Sequence, residues 1–597
     1  MLILGIHPAW HDSAAALFDD YRLVAAVQTE RLTRLKGDGD GIPEAAIDEV
    51  LAVAGARRRD VGAIATTRGV FPRRHIRWGL AQRIRMHLPD SRAKRPKSLE
   101  GQMQKRREPD AAKLFAAERF RAELGFGADV PVYFCNHHGA HALPTLFFTD
   151  WDDALLYTAD GGGDNVQYSA RRFVDGRLAS LFGDDRELLV PRRTDSLGMA
   201  YGLATAALGF KMLRHEGKLT GLAAYGQPLL YDEMARHFHV GDDGRIDSDY
   251  PDYGAMALDI RRMAGGVSRE DMAASIQKVL EDYVLRAVRR LLVLHGGRRL
   301  GLSGGVFANV RLNRLLAEET AVEEVFVFPA MGDEGLAIGG PLEFLLARDG
   351  LASWLGQRYR LESVSLGRDY DAGIRETLAA AGFPVLPGEP AAVAATLLAE
   401  GLAGALYAGR MEFGPRALGN RSILASPADH AINDSLNKRL ERSEFMPFAP
   451  VVAAEDAAQV FETTTVNGYA SRFMTVTSAV RPTWRARIPA VVHVDGTARP
   501  QVLECGQNPL YYAILGRFKA VTGLPVLVNT SFNVHEEPIV NSPADCARAL
   551  SDGRIDFVVT AAGVYAGKAL AARRAAPSAS GEGTMAHAGD PVANTAG

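Results

Sequence analysis

The chain reads as an α/β protein of more than one domain. Three observations predict this: short apolar runs alternate with amphipathic stretches through the first half, glycine-rich or acidic turns follow the strand-like runs, and 597 residues exceed what one core organises. With 47% hydrophobic residues and a formal charge of −3, the composition is that of an ordinary globular protein, and nothing in it points to nucleic acid or lipid. Cys135, Cys505 and Cys546 are far apart and lack CxxC spacing, so they are read as reduced thiols of a cytoplasmic protein.

The elements follow in order. Met1 to His7 is apolar without a basic leader or cleavage site and reads as a first strand, Leu2 to Ile6. Further strands are expected at Leu23 to Gln28, Ala63 to Thr67, Val130 to Phe134 and Ala154 to Thr158, with a helix at Glu44 to Ala54. Phe71 to Arg107 carries twelve Lys or Arg against two acids, with Trp78, Leu80, Ile84 and Met86 at helical spacing; it reads as an inserted helical pair, either a solvated basic surface or a grip on an acidic ligand. A helix is expected from Asp271 to His295, then strands at Leu300 and at Glu324 to Phe328. The domain boundary is placed at 345 to 365, with a β-rich segment from Gly382, and the tail from Ala571, without periodicity, is expected to be disordered.

Four turns follow strands: Gly5 to Ser13, Asp160-Gly161-Gly162-Gly163-Asp164, Ser303-Gly304-Gly305 and Gly332-Asp333-Glu334-Gly335. Glycines there let backbone N–H groups approach phosphate, and the acids can hold a metal or a ribose hydroxyl. Four such turns on one α/β frame resemble the actin, sugar-kinase and heat-shock-protein ATPase fold. A Walker A loop is excluded around Glu216-Gly217-Lys218-Leu219, where Met212 stands for the first glycine and Leu219 for Ser or Thr.

In Asn136-His137-His138-Gly139-Ala140-His141, His137 and His141 fall on one face of a helix start and can share a metal, with Asp160 and Asp333 as the available carboxylates. Nitrogen plus carboxylate suits iron or zinc better than magnesium. His11 beside Asp12 in the first loop has the chemistry of a general base; a capping carboxylate and an exposed imidazole are the other reading.

The run Gly409-Arg410-Met411-Glu412-Phe413-Gly414-Pro415-Arg416-Ala417-Leu418-Gly419-Asn420-Arg421-Ser422-Ile423 is not expected to be a core strand, because arginine is rarely buried unpaired and its fork of donors matches planar oxyanions. A phosphate or carboxylate site is the natural reading. Asn529-Thr530-Ser531-Phe532-Asn533 is its expected partner.

With Arg442 to Pro450, His493 to Gln501 and Asn529 to Val540, the chain from Leu2 to about Gly567 resembles the NodU/CmcH family of O-carbamoyltransferases, which modify nodulation factors and antibiotics. That resemblance implies an N-terminal actin/sugar-kinase-like domain (1–355) similar to the tRNA-threonylcarbamoylation ATPase, and a YrdC-like domain (356–570). The second would make carbamoyl-adenylate from carbamoyl phosphate and ATP, and the first would pass the carbamoyl group to a small-molecule hydroxyl. It further implies His137, His141, Asp160 and Asp333 as ligands of Fe(II) or another divalent transition metal, magnesium accompanying ATP, and His11 as base. Gly161, Gly162, Glu216, Gly217, Gly304, Gly305 and Asn309 would seat the adenylate. Arg416, Arg421, Arg442, Arg499, Asn529, Ser531 and Asn533 would bind carbamoyl phosphate and ATP, and a homodimer is expected. Ser443, Met446 and Glu536 depart from the pattern, in which 446 is commonly Arg and 536 Gly. A tRNA-threonylcarbamoyl transferase and a non-catalytic nucleotide-binding regulator are the alternatives; the near-neutral charge weighs against RNA, and retention of the base, ligands and arginines against the regulator.

Overall fold

The computed structural model describes residues 1–39, 41–78, 96–442 and 446–575. Its first half repeats one sheet plan twice. Strands β1 (Leu2–His7), β2 (Ala14–Asp19), β3 (Arg22–Gln28), β4 (Val61–Thr66) and β5 (Val132–Phe134) lie in the order β3-β2-β1-β4-β5. β1, β2 and β3 form an antiparallel meander, and β4 and β5 add in parallel on the other side of β1. Strands β6 (Asp153–Gly163), β7 (Val166–Val174), β8 (Arg177–Phe182), β9 (Arg299–Ser303) and β10 (Glu324–Val327) reproduce that order and those directions. This duplicated sheet is the actin- and sugar-kinase-like arrangement expected from the turns.

The second half is built on an eight-stranded mixed sheet. Its strands are β11 (Val385–Leu386), β12 (Gly404–Tyr407), β13 (Arg421–Ala425), β14 (Ala449–Ala453), β15 (Gln501–Leu503), β16 (Val526–Ser531), β17 (Phe557–Thr560) and β18 (Gly563–Ala566), in the order β11-β18-β17-β12-β13-β16-β14-β15. The arginine run and Asn529–Asn533 thus lie side by side: β13 and β16 pair antiparallel with Ser422 opposite Ser531 and Leu424 opposite Asn529.

Several expectations need correction. The strands β2, β7 and β8 were not expected, and β6 runs on to Gly163, so Asp160 to Gly163 is the end of a strand rather than a loop beyond it. The helical pair expected over 71–107 falls largely on 79–95, which lie outside the described residues; the described parts pair Val70–Phe71 with Lys97–Ser98 and include the helix Leu99–Arg106. Leu80, Ile84 and Met86 lie outside the described residues, whereas Trp78 is held between the guanidinium groups of Arg73 and Arg106, 5.0 and 4.8 Å from its ring centre. The final helix, Lys568–Ala575, carries order past Ala571, and the rest of the tail, 576–597, is outside the described residues.

The two halves share a buried seam. Phe326 and Phe328 of the first half pack in one cluster with Leu361, Phe413, Tyr469 and Phe473 of the second, and the ring of Tyr469 stacks on Phe326 at 4.5 Å. A buried aromatic of this kind contributes a few kcal/mol through the water-excluded area it covers. Phe413→Ala should therefore cost about 3–5 kcal/mol, read as a lowered denaturant midpoint with the secondary-structure content of the folded protein unchanged.

Candidate active site

The helix His137–Phe147 begins where the Asn136 side chain accepts from Gly139 N, and its first turn aims His137 and His141 one turn apart toward the end of β6. Two close approaches fix it there. A Cβ on Gly339 of the helix Leu336–Leu355 would lie 1.8 Å from Ala140 O, and one on Gly163 would lie 2.3 Å from the His137 ring. A two-residue hairpin, Asp164-Asn165, joins β6 to β7 with both φ values positive (51° and 63°), a conformation that Asp and Asn tolerate better than most residues with a Cβ. Asp164 then accepts from His137 N at 2.8 Å and from Arg68 at 3.0 Å, while Arg68 also pairs with Asp185 and Asp185 accepts from Asn136. On the other side, Glu343 accepts from Asn136 N at 2.9 Å; burial pushes its carboxyl up to about 7.

Four ligand atoms converge. One from each of His137, His141, Asp160 and Asp333 lie within 4.8 Å of one another. His141 Nε2 is 3.4 Å from both Asp160 Oδ2 and Asp333 Oδ1, and His137 Nε2 is 3.6 Å from Asp333 Oδ1. These gaps exceed a hydrogen bond, and the buried His137 Nε2, His141 Nε2 and Asp333 Oδ1 have no hydrogen-bond partner. Buried polar atoms left unpaired are costly, so a set of nitrogens and oxygens standing apart around one point fits a divalent transition metal. The crowding of negative charge agrees: beside Asp333, burial and then the field of Asp12 push the Glu334 carboxyl up to about 8. His138 points away, to Thr158 Oγ1 at 2.6 Å and Val166 O at 2.9 Å, and is structural.

His7 closes β1 and was not singled out in the sequence. Its Nδ1 meets Thr67 Oγ1 at 3.0 Å, while its buried Nε2 is unpaired and 3.9 Å from Asp333 Oδ2. A polar residue ending an apolar strand was the available signal. His11 holds Asp12 Oδ2 with Nδ1 at 3.0 Å, leaving Nε2 for another group. Burial opposes charging of this ring, but the hydrogen bond to Asp12 and the fields of Asp333, Asp12 and Asp160 outweigh it and raise the pKa to about 9.

Of the residues expected to seat adenylate, Gly161, Gly162, Gly304 and Gly305 stand at the same strand ends. Gly161 N and Gly305 N donate to Asp160, the latter at 2.8 Å. Gly161 and Gly217 face open space, with nothing within 4 Å of an added Cβ, and Gly162 lies between strand end and hairpin with φ 137°. Gly304 N donates to Met331 O at 2.8 Å, tying the glycine turn to the Asp333 loop. Glu216, heading the helix Glu216–Leu222, accepts from Leu213 N. Asn309 is spent on structure: it caps the helix Val310–Glu319 through Leu312 N and bonds Gln277 and Thr220, which ties that helix to Glu216–Leu222.

In the second half Glu412, 2% exposed, organises the arginine loop by accepting from Leu418 N, Asn420 N and Arg421 N at 3.0, 2.6 and 3.2 Å. Sequence reasoning passed it over among more prominent arginines. Asn529 Nδ2 donates to Ala417 O and Gln501 Oε1, drawing together the segments that carry Arg416, Asn529 and Arg499. Arg442 donates to Thr530 Oγ1, Ser531 O and Asn533 Oδ1 at 2.7 to 2.8 Å, and Ser531 Oγ donates to Asn533 Oδ1. Arg421 departs from expectation. It is fully buried, donates to Ala408 O, Asn420 O and Gly409 O, and lies 3.8 Å over the Tyr407 ring, so its donors hold the loop rather than face a ligand. Met446 packs on Gly221 of the first half, where an added Cβ would be 2.7 Å from its side chain; an apolar group suits that contact.

Two family models match this chain: carbamoyltransferase N-terminus over residues 2–342 and carbamoyltransferase C-terminus over 395–566. The chain belongs to the carbamoyltransferase family and is an O-carbamoyltransferase. It is 33% identical to nodulation protein NolNO of Sinorhizobium fredii over 92% of this chain and 78% of that protein. It is 32% identical to nodulation protein U of Rhizobium tropici over 48% of each, and 32% identical to an uncharacterized Synechocystis protein over 93% of this chain and 95% of that one. Among solved structures, component A of the Acidaminococcus fermentans (R)-2-hydroxyglutaryl-CoA dehydratase is 14% identical, covering 59% of this chain and 99% of that one with a TM-score of 0.33. A Thermus thermophilus ROK hexokinase is 15% identical, covering 59% and 100% with a TM-score of 0.30.

If the four ligands hold a metal, purified protein should contain about one transition-metal ion per chain. His141→Ala should lose it while remaining folded, and Gly163→Ala, by displacing the His137 ring, should weaken metal binding by roughly 10- to 100-fold. Elemental analysis and chelator competition measure both; full metal retention by His141→Ala would contradict the assignment.

Proposed function

We propose that the second half makes carbamoyl-adenylate from carbamoyl phosphate and ATP, and that the first half transfers the carbamoyl group to a hydroxyl of a small natural-product or sugar acceptor. In the first reaction water hydrolyses carbamoyl phosphate to carbamate and inorganic phosphate, a carbamate oxygen then attacks the α-phosphorus of ATP, and pyrophosphate leaves. In the second the acceptor oxygen attacks the carbamoyl carbon, its proton passes to a base, and AMP leaves.

The observation that carries this reading is the placement of the arginine loop beside Asn529–Asn533, with Gly414 of that loop abutting the strand end that leads to Asp333. Gly414 O accepts from Arg31 at 2.8 Å, and an added Cβ there would lie 3.1 Å from Pro329 O. Carbamoyl phosphate and ATP bring several negative charges together, and Arg416, Arg442 and Arg499 neutralise them as the phosphoryl bonds exchange. Asn529, Ser531 and Asn533, expected to donate to phosphate or ribose, spend their donors on Ala417 O, Gln501 Oε1, Asn533 Oδ1, Val534 O and Glu537 O, and so hold the loop around Arg442 in place.

On the transfer side, Gly161 and Gly217 leave room for the adenylate, and His11 Nε2 takes the acceptor proton while Asp12 fixes the ring through Nδ1. His137, His141, Asp160 and Asp333 would hold a divalent transition metal, which would supply Lewis-acid polarisation. Asp160 and Asp333, if committed as ligands, would exert a weaker field on His11, and the ring would favour the neutral form a base requires.

The two half-reactions should separate by mutation. Arg416→Ala should abolish pyrophosphate release from ATP and carbamoyl phosphate. His11→Ala should still release pyrophosphate while transfer falls by roughly 10²- to 10⁴-fold. Measuring pyrophosphate and carbamoylated product together checks both, and full release by Arg416→Ala would refute the assignment of the first step.

A further inference from the structure

Glu536 adopts φ +62°, a left-handed conformation unfavourable for a residue with a Cβ. Its side chain crosses to the first half. Oε1 accepts from His215 Nε2 at 2.6 Å, Oε2 from Lys211 Nζ, and the Arg214 guanidinium approaches to 3.9 Å. His535 stacks on His215 with ring centres 5.7 Å apart, and its Nε2 is 3.4 Å from Lys218 Nζ. One turn of chain further on, Arg34 donates to Pro538 O at 2.8 Å and Ile539 O at 2.7 Å and flanks Asp545 at 3.5 Å. Two segments of the first half thus grip a single segment of the second.

That segment connects the two halves of the proposed chemistry. Upstream it is tied to Asn533, whose Nδ2 donates to Glu537 O at 2.8 Å and whose Oδ1 accepts from Arg442. Across the contact, His215 is the residue before Glu216 and Gly217. Glu536 and His215 are 28% and 12% exposed against 60% for Lys211, which places the contact at the rim, between the interior of the interface and solvent.

His215, His535 and Glu536 are also close enough to be read as metal ligands. The spacing argues otherwise. In the His137 cluster the ligand atoms stand 3.4 to 3.6 Å apart with unpaired nitrogens, whereas here His215 and Glu536 are in direct hydrogen bond, ringed by Lys211, Arg214 and Lys218. A dication would have to break that bond and enter a field of like charge.

Resting on the two-step reading above, we propose that Glu536 is a clasp between the halves that seals the passage of carbamoyl-adenylate from the arginine site to the adenylate seat. An open clasp admits water, which attacks the carbamoyl carbon; the bond to the phosphate oxygen breaks and AMP and carbamate leave. In the left-handed conformation of Glu536 the carboxylate reaches Lys211 and His215.

The test needs only ATP and carbamoyl phosphate, without acceptor, and the full chain as purified. The unsubstituted protein is expected to release a burst of about one pyrophosphate per chain and then slow sharply, as a retained intermediate requires. Glu536→Gly, which relieves the positive φ, and Glu536→Gln, which keeps the side-chain length, should each keep the first turnover but then form AMP continuously, roughly tenfold or more faster in the steady state. Lys211→Met, which leaves the second half untouched, should leak in the same way, and thermal melts establish that each variant is folded. Variants that keep the burst and the slow steady rate would overturn the clasp, as would continuous turnover by the unsubstituted protein. No pyrophosphate from the unsubstituted protein would instead overturn the two-step reading, and the clasp with it.

Discussion

The constraint on which the first half depends is the meeting of two imidazoles and two carboxylates in a buried space where none satisfies the others. His137 Nε2, His141 Nε2 and Asp333 Oδ1 are buried without hydrogen-bond partners. The surroundings instead hold the four apart. Gly163 lies flat under one imidazole, Gly339 lets two helices touch, and the Arg68–Asp164–Asp185 network anchors the first turn of the His137 helix. Side chains whose own neighbours are this well determined form a preorganised site, in which little reorganisation is left for the binding event.

The second consequence of the packing is proximity. The seam of Phe326, Phe328, Phe413 and Tyr469 joins the halves as interior, and the arginine loop leaves that seam at Phe413 to pass beside Ala330, three residues before Asp333. A reactive mixed anhydride made at one site and used at another is exposed to water in between, so a short, covered route matters as much as either site. The contacts from Arg34, Lys211 and His215 to the 536–539 segment cross from one half to the other.

Much of this was legible in the sequence, and the failures have physical causes. Four glycine or acidic turns on an α/β frame foretold the duplicated sheet, and spacing alone placed His137 and His141 on one helical face. β2 escaped because Ala14-Ala15-Ala16 has weak strand preference, and β8 because it is an edge strand with mostly exposed side chains. β7 is buried on nearly every residue and includes Gln167, Ser169 and Arg171, so it shows neither alternation nor apolar continuity. Arg421 illustrates a limit of composition: an arginine facing three carbonyls and one facing phosphate look identical in a motif. Glu412 and His7 escaped for the same reason, since their importance lies in which backbone groups and ligands reach them through space.

The most direct test is identification of the intermediate. Protein incubated with carbamoyl phosphate and ATP labelled at the α-phosphorus, then quenched and analysed by mass spectrometry, should yield AMP carrying a carbamoyl group, formed only when both substrates are present. Cleavage of ATP to ADP and phosphate, with carbamoyl transfer proceeding and no carbamoylated AMP at any time, would contradict the account.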